Sequence, residues 1–493
     1  MSDPKETIAN HSLSAPEKKH RRFWVGVTVG LGAFAAIVEA TIINVALPEI
    51  KQQFSVSHDQ LQLLATAFLA SSTVFMLVSQ WAVQSFGKRR TFEVTTWILL
   101  FFSVAAACMP VGWFIPLALC RTVQGMVAGV IQTLSIAILI GVYPAAERGR
   151  AMSSYGLGVV LAPAIGPALG GGLVDIFGWR AVFLLTVPFC AGALILARYW
   201  LTDTAMVETK ADTQDFDFIG LMLVLSVFCT LLSGLSFIYE HSVVTTVLIL
   251  LVGVAIAAIF VRREMLRPNP LINFGLLRYP GFVAAILVAT IYGVGLYGST
   301  YLALLFAQVI VGMGAFDAGS LLIPGGIVLA GVLMFSGKIT DKVHPRLITV
   351  IGLACFAGSA MLLTTCTAST TFWWIAAYLV IGRIGLGLII PGLNVAALKT
   401  VPHHLELSAI TLIGFFRQLG GAFGVTLLAL LVENRERTYK AGGVFGDIGA
   451  WLIARHGFAE GFIVLVVGYG VAIVAAKRMR PINNPGAVAA VTS

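Results

Sequence analysis

Long apolar runs broken by short polar joints dominate the chain. A helix needs about 20 residues to cross about 30 Å of hydrocarbon. Fourteen stretches reach that length within a few residues: 23–47, 61–83, 92–110, 114–141, 150–174, 180–200, 217–238, 243–261, 281–304, 318–336, 347–367, 372–398, 407–432 and 458–476. Joints such as 111–113 and 175–179 are too short to hold soluble domains, whereas 433–457 reads as a loop of about 25 residues. The runs are too long and too evenly apolar for barrel strands, and open strands in lipid would leave backbone groups unsatisfied. The pattern therefore predicts an all-α integral membrane protein with fourteen transmembrane helices.

Composition agrees. Apolar residues make up 58% of the 493 and charged residues only 11%, against about 25% charged in soluble domains. So few charges cannot cover a soluble body of this size, which leaves lipid as the solvent for most of the surface. The net charge of +9 reads as membrane topology. With the N-terminus inside, cytoplasmic segments hold 23 Lys and Arg and outside loops hold 6, the bias of short cytoplasmic loops. That accounts for the basic balance with no nucleic acid as partner. It also places both termini in the cytoplasm and the chain in a plasma membrane, expected to be a bacterial inner membrane.

The polar stretch 1–22 ends in Lys18-Lys19-His20-Arg21-Arg22 and has no cleavage signature after it, so it reads as an unprocessed cytoplasmic tail. Residues 477–493 form the second tail. The six cysteines lie in or beside apolar runs with no CxxC pair, which fits small hydrophobes and neither disulfides nor zinc. No metal site and no cofactor are expected. H-E-x-x-H, G-x-S-x-G and a phosphate loop are absent from the sequence, so the chain is not read as an enzyme or as driven directly by ATP.

Four charges fall inside spans: Glu39, Arg121, Arg383 and Arg417. Each costs about 2.5–3.5 kcal/mol at the bilayer centre on insertion scales and should have a partner or a task. Arg121, Gly125 and Gly129 recur at four-residue spacing on one face of the fourth helix. The glycines admit a close neighbour, and Arg121 is suited to hold a carboxylate or simply to bind the bundle together. The fifth helix carries Gly156, Gly158, Pro163, Gly166, Pro167, Gly170, Gly171 and Gly172. It reads either as a packing segment or as the hinge of a gate, kinked by its prolines. All eight histidines lie in tails, loops or span ends, so proton carriage falls to carboxylates, with Glu39 the first candidate.

The Arg-x-x-Gln-Gly run at 121–125 followed by Gly-Pro-x-x-Gly-Gly at 166–171 resembles the major facilitator superfamily, and the second run resembles the signature of its antiporters. Glu39-Ala-Thr41-Ile-Ile-Asn44-Val-Ala-Leu-Pro48 resembles the first-helix motif of the fourteen-helix drug:proton antiporters of the EmrB and QacA type, where the first position is usually Asp. Trp179-Arg180-x-x-Phe183 with Pro188, Asn269-Pro270-Leu271-Ile272 and Phe416 to Gly421 are similar to the same family. The likeness covers essentially everything after residue 22. One motif departs from it. The loop between helices 2 and 3 keeps Gly87, Lys88 and Arg89 but has Gln84 near where the family carries an acid, while the related second-half loop retains Asp341.

The resemblance implies a major facilitator fold with two pseudo-symmetric six-helix bundles, at 23–200 and 281–476, and two additional central helices within a linker at 201–280. Arg383 and Gly387 echo Arg121 and Gly125. The implied function is proton-coupled efflux of drugs or toxic amphipathic compounds by alternating access, with Glu39 and Arg121 coupling the proton. Asn44, Gln124, Tyr155, Tyr292, Tyr297 and Arg417 are candidates for the substrate cavity, Arg417 suiting either an anionic substrate or a gate. The expected partners are the lipid bilayer, protons and small amphipathic substrates, with a periplasmic membrane-fusion adaptor implied by the EmrB likeness. Two alternatives stand beside this reading: a ligand sensor of the same fold that does not pump, and a proton-coupled metabolite transporter.

Overall fold

Where no water is at hand to satisfy N–H and C=O groups, an apolar run must bond internally, and each of the fourteen predicted runs is helical. The structure, a computed structural model, describes residues 15–56, 58–201, 216–236, 243–267, 270–313, 315–441 and 447–479, and no strand occurs among them. Twelve described helices are long and apolar enough to cross a membrane, and one bent pair adds a thirteenth. The remaining predicted run lies on a 30-residue helix, Arg148–Phe177, several of whose side chains fall outside the described residues.

The chain divides into two units, Met1–Leu225 with Ile259–Asn273, and Ser226–Ala258 with Phe274–Ser493. In the first, α1 (Ala15–Phe54), α2 (His58–Phe75), α3 (Val78–Phe86), α4 (Lys88–Ala107), α5 (Phe114–Val142), α6 (Arg148–Phe177), α7 (Arg180–Leu184) and α8 (Thr186–Trp200) follow in order. Helix α1 packs against α6 and α8, and α5 packs against α2 and α4. The second unit repeats this scheme with α11 (Pro280–Val309), α12 (Ala315–Ser320), α13 (Leu322–Lys342), α14 (Pro345–Leu363), α15 (Phe372–Leu398), α16 (Glu406–Ala441) and α17 (Asp447–Ala476). There α11 packs against α16 and α17, and α15 against α13 and α14. The duplicated packing is the arrangement that the sequence resemblance implies. Between these two sets lie α9 (Phe218–Ser236) and α10 (Val243–Leu266).

Three predicted boundaries change. The second span is not one helix: α2 and α3 meet at a 55° bend. Ser71 Oγ donates to the Ala67 carbonyl at 2.7 Å, Thr73 Oγ1 to Leu69 at 2.8 Å and Ser79 Oγ to Met76 at 2.6 Å, so hydroxyls compete for the helical acceptors around the break. The sixth span is interrupted at Leu185, beside Pro188, which has no N–H to give to the Leu184 carbonyl. The predicted loop 433–457 is helical at 433–441 and 447–457, as α16 and α17 extend into it. The expected N-terminal tail lies outside the described residues up to position 14, and α1 already begins at Ala15. The C-terminal tail lies outside from position 480.

An ionic knot ties α9 to α10. Arg263 Nη1 lies 2.7 Å from Asp217 Oδ2 and 3.3 Å from Glu264 Oε1, and Arg267 Nη1 is 3.4 Å from Asp217 Oδ1. Asp217 Oδ1 also accepts the Gly220 N–H at 2.9 Å, while Glu264 Oε2 accepts those of Leu271 and Ile272 at 2.6 and 3.3 Å. Glu264→Ala would strip both backbone donors of their acceptor, at a cost of about 1–3 kcal/mol each if they stay buried. The expected result is faster amide exchange at Leu271 and Ile272, read by hydrogen–deuterium exchange mass spectrometry. Unchanged protection there would show that the carboxylate is not their anchor.

Candidate functional site

The two oppositely charged residues inside the first unit come together. Glu39 on α1 and Arg121 on α5 are both fully buried, with Arg121 Nη1 2.9 Å from Glu39 Oε1. Arg121 spends its remaining donors on fixed acceptors. Nη2 donates to the main-chain carbonyl of Glu39 at 3.0 Å, Nε to that of Leu64 at 3.3 Å, and Nη1 also to Gln124 Oε1 at 3.2 Å. Its guanidinium carbon stands 4.4 Å over the Phe68 ring, a cation–π contact. The planar fork suits this many-sided grip better than a lysine would.

Glu39 is less completely served. Its second oxygen, Oε2, is buried and has no hydrogen-bond partner among the described residues. The hydroxyls of Ser103 and Thr186 lie in the same polar pocket: Thr186 Oγ1 is 3.2 Å from Ser103 Oγ, and Gln124 Nε2 donates to Ser103 Oγ at 3.1 Å. An oxygen left bare beside hydroxyls is a place where a proton can be carried, because a neutral carboxyl would turn that acceptor into a donor. Ser103 and Thr186 were missed from the sequence. Their only signal there is a lone hydroxyl within an apolar run.

Small residues let the helices close around the pair. A Cβ on Gly125 would strike the Phe68 carbonyl and the Ser71 hydroxyl of α2, and one on Gly129 the Ser72 carbonyl. On α6, a Cβ at Gly166 would lie 3.2 Å from Thr41 Oγ1, and at Gly170 2.6 Å from Ile42 Cγ1, so this helix fits directly on the stretch of α1 that carries Glu39. Helix α6 runs unbroken through Pro163 and Pro167. The side chains of Pro163, Pro167 and Asn44 and the surroundings of Gly171 lie outside what is described, whereas Gly156 is described and buried.

The echo in the second unit is structural as well as sequential. Arg383 occupies on α15 the place of Arg121 on α5. Four residues on, Gly387 admits α13, since a Cβ there would lie 2.7 Å from Val332 Cγ1 and 3.1 Å from Leu329 Cδ1. Among the described residues no acid faces this arginine. Its Nη2 donates to Thr300 Oγ1 at 3.0 Å.

The other predicted residues scatter. Tyr155 is buried and donates to the Gln132 carbonyl at 3.3 Å, and Tyr292 is buried edge-on against Phe356. Tyr297 is exposed with its hydroxyl 3.3 Å from Gln418 Oε1, and Arg417 is partly buried on α16. Gly87 sits between α3 and α4 at φ +79°, a backbone state that favours glycine, followed by Lys88 and by Arg89, whose Nε lies 2.8 Å from Glu93 Oε1. Asp341 lies in the last turn of α13.

Comparison with known proteins agrees with this fold. The Major Facilitator Superfamily model matches residues 29–425. The MFS-type transporter YcnB of Bacillus subtilis is 29% identical over 472 residues, spanning 94% of this chain and 96% of that protein. The Multidrug export protein EmrB of Haemophilus influenzae is 26% identical, spanning 84% and 81%. Among solved structures, the proton:xylose symporter XylE superposes with a TM-score of 0.63 at 13% identity, covering 91% of this chain and 95% of that one. With a duplicated six-helix packing, an arginine and glycine echo between its halves and a family match over most of its length, this membrane transporter belongs to the major facilitator superfamily.

Proposed function

We propose that the chain is a fourteen-helix antiporter of the EmrB and QacA type that exports drugs or toxic amphipathic compounds in exchange for protons. The single observation that carries this reading is Glu39: a fully buried carboxylate with one oxygen on Arg121 and the other unsatisfied. In one access state the bare oxygen takes a proton, and in the other it gives the proton up as cargo is exchanged. The seating of α6 glycines on Thr41 and Ile42 joins that carboxylate to the helix whose motif resembles the antiporter signature. Support also comes from relatives named for multidrug export and for lincomycin resistance. The drive is adequate, since one charge crossing about 100 mV supplies about 2.3 kcal/mol.

On this reading the chain lies in the plasma membrane with both termini in the cytoplasm, as the distribution of basic residues favours. The two bundles run from 23 to 200 and from 281 to 476, with α9 and α10 as an accessory pair in the linker. Gly87, Lys88, Arg89 and Asp341 then lie at the cytoplasmic ends of their helices. The test is ethidium efflux from energised vesicles with and without a protonophore. Uphill export by the native chain should stop with the protonophore, and Glu39→Gln should leave only leak. Full, pH-dependent export by Glu39→Gln would refute the assignment of the proton site.

A further inference from the structure

Two arginines hold equivalent places in the two units, and their surroundings differ in one chemical respect. Arg121 is fully buried and meets a carboxylate, two main-chain carbonyls, an amide oxygen and an aromatic face. Arg383 is only partly buried, and among the described residues its acceptor is the Thr300 hydroxyl. The groups in electrostatic reach of it are the phenols of Tyr292 and Tyr469, and no carboxylate among the described residues is one of them. Helix α11, which faces Arg383 as α1 faces Arg121, contains no acidic residue at all. The Tyr469 hydroxyl is buried with no hydrogen-bond partner among the described residues, and it packs where Gly295 leaves room for it. Gly325 likewise leaves room for the Arg383 stem, since a Cβ there would lie 2.8 Å from Arg383 Cγ.

A guanidinium has five N–H donors in a rigid fork that matches a carboxylate in two parallel bonds. In the first unit the chain supplies that carboxylate itself. In the second the fork is built, the position is kept, and no counter-ion stands opposite it among the described residues. A cation at this depth is expensive to retain for one neutral hydroxyl. We propose that Arg383, with Thr300 and Tyr469, is a binding site for the carboxylate of an amphipathic substrate whose apolar body lies along the helices. The word substrate rests on the transport reading above; the binding itself does not.

The test compares dansyl-phenylalanine with its uncharged amide by fluorescence titration of the purified full-length chain in detergent, with no proton gradient present. The native chain should prefer the acid by about tenfold or more. Arg383→Gln should abolish that preference by weakening binding of the acid far more than binding of the amide, and Arg383→Lys should restore part of it. Should Arg383→Gln fail to fold, Tyr469→Phe keeps the ring packed on Phe356 and should lower affinity for the acid more than for the amide. Equal affinity of the native chain for acid and amide, binding of neither, or a preference untouched by Arg383→Gln and Tyr469→Phe would each overturn the proposal. A chain that keeps an Arg383-dependent preference but never couples export to protons would uphold this site and remove the antiport reading. Proton-coupled dye export without any acid preference would do the reverse.

Discussion

Arg121→Met is expected to destabilise the folded protein by about 3–5 kcal/mol, the range seen when one partner of a buried ion pair is removed. The cost arises from what stays behind. Glu39 Oε1 would lose its one charged partner while Oε2 is already unsatisfied, and the main-chain carbonyls of Glu39 and Leu64 would lose donors that water cannot replace there. The measurement is unfolding in mixed micelles, followed by tryptophan fluorescence and by monodispersity on size exclusion. Adding Glu39→Gln to Arg121→Met should recover a large part of the loss, because a neutral amide has no charge to strand. If the double variant is no more stable than Arg121→Met, the pair is not where the stability resides.

Gly129→Leu should act as severely by another route. A side chain there meets the backbone of Ser72, and backbone cannot turn aside as a side chain can. Helices α2 and α5 must then separate, exposing Gly125 and its seat on Phe68 as well. Overpacking costs about 1–3 kcal/mol in ordinary cores, and a crossing that relies on small residues for close approach falls at the upper end or beyond it. Gly172→Leu is the control, since nothing lies within 4 Å of a Cβ there. Thermal stability in detergent should fall for Gly129→Leu and stay near native for Gly172→Leu. Equal stability of the two variants would contradict the tight crossing.

The helices themselves were legible because lipid imposes a single rule, internal backbone bonding over about 20 apolar residues. The opposite charges Glu39 and Arg121 were legible as partners for the same reason, since buried charge in lipid demands compensation. What hydropathy does not carry is geometry finer than a span. It passes smoothly over Met76 and Leu77, where hydroxyl competition bends the chain, and it calls 433–457 a loop because helices rich in charge look like loops when only apolarity is counted. Ser103 and Thr186 enter the Glu39 pocket from separate helices, a tertiary accident that no single run reveals. Asp217 and Glu264 fell at span ends, where carboxylates are unremarkable, and only packing shows that they hold backbone donors of a following segment. The two-residue echo at Arg383 and Gly387 acquired meaning once Gly387 was found against α13 as Gly125 is against α2.

The grip of Arg121 on the peptide oxygen of residue 39 has a consequence for which acids this position tolerates. Because Nη2 is tethered to the main chain at 3.0 Å, titrating or shortening the side chain leaves that tether in place, so helix register is independent of the length of the acid. An aspartate one methylene shorter would keep the same anchor and merely lengthen its own reach to the cation. Selection is thereby free to vary the strength of this charge pair, through side-chain length alone, without rebuilding the scaffold.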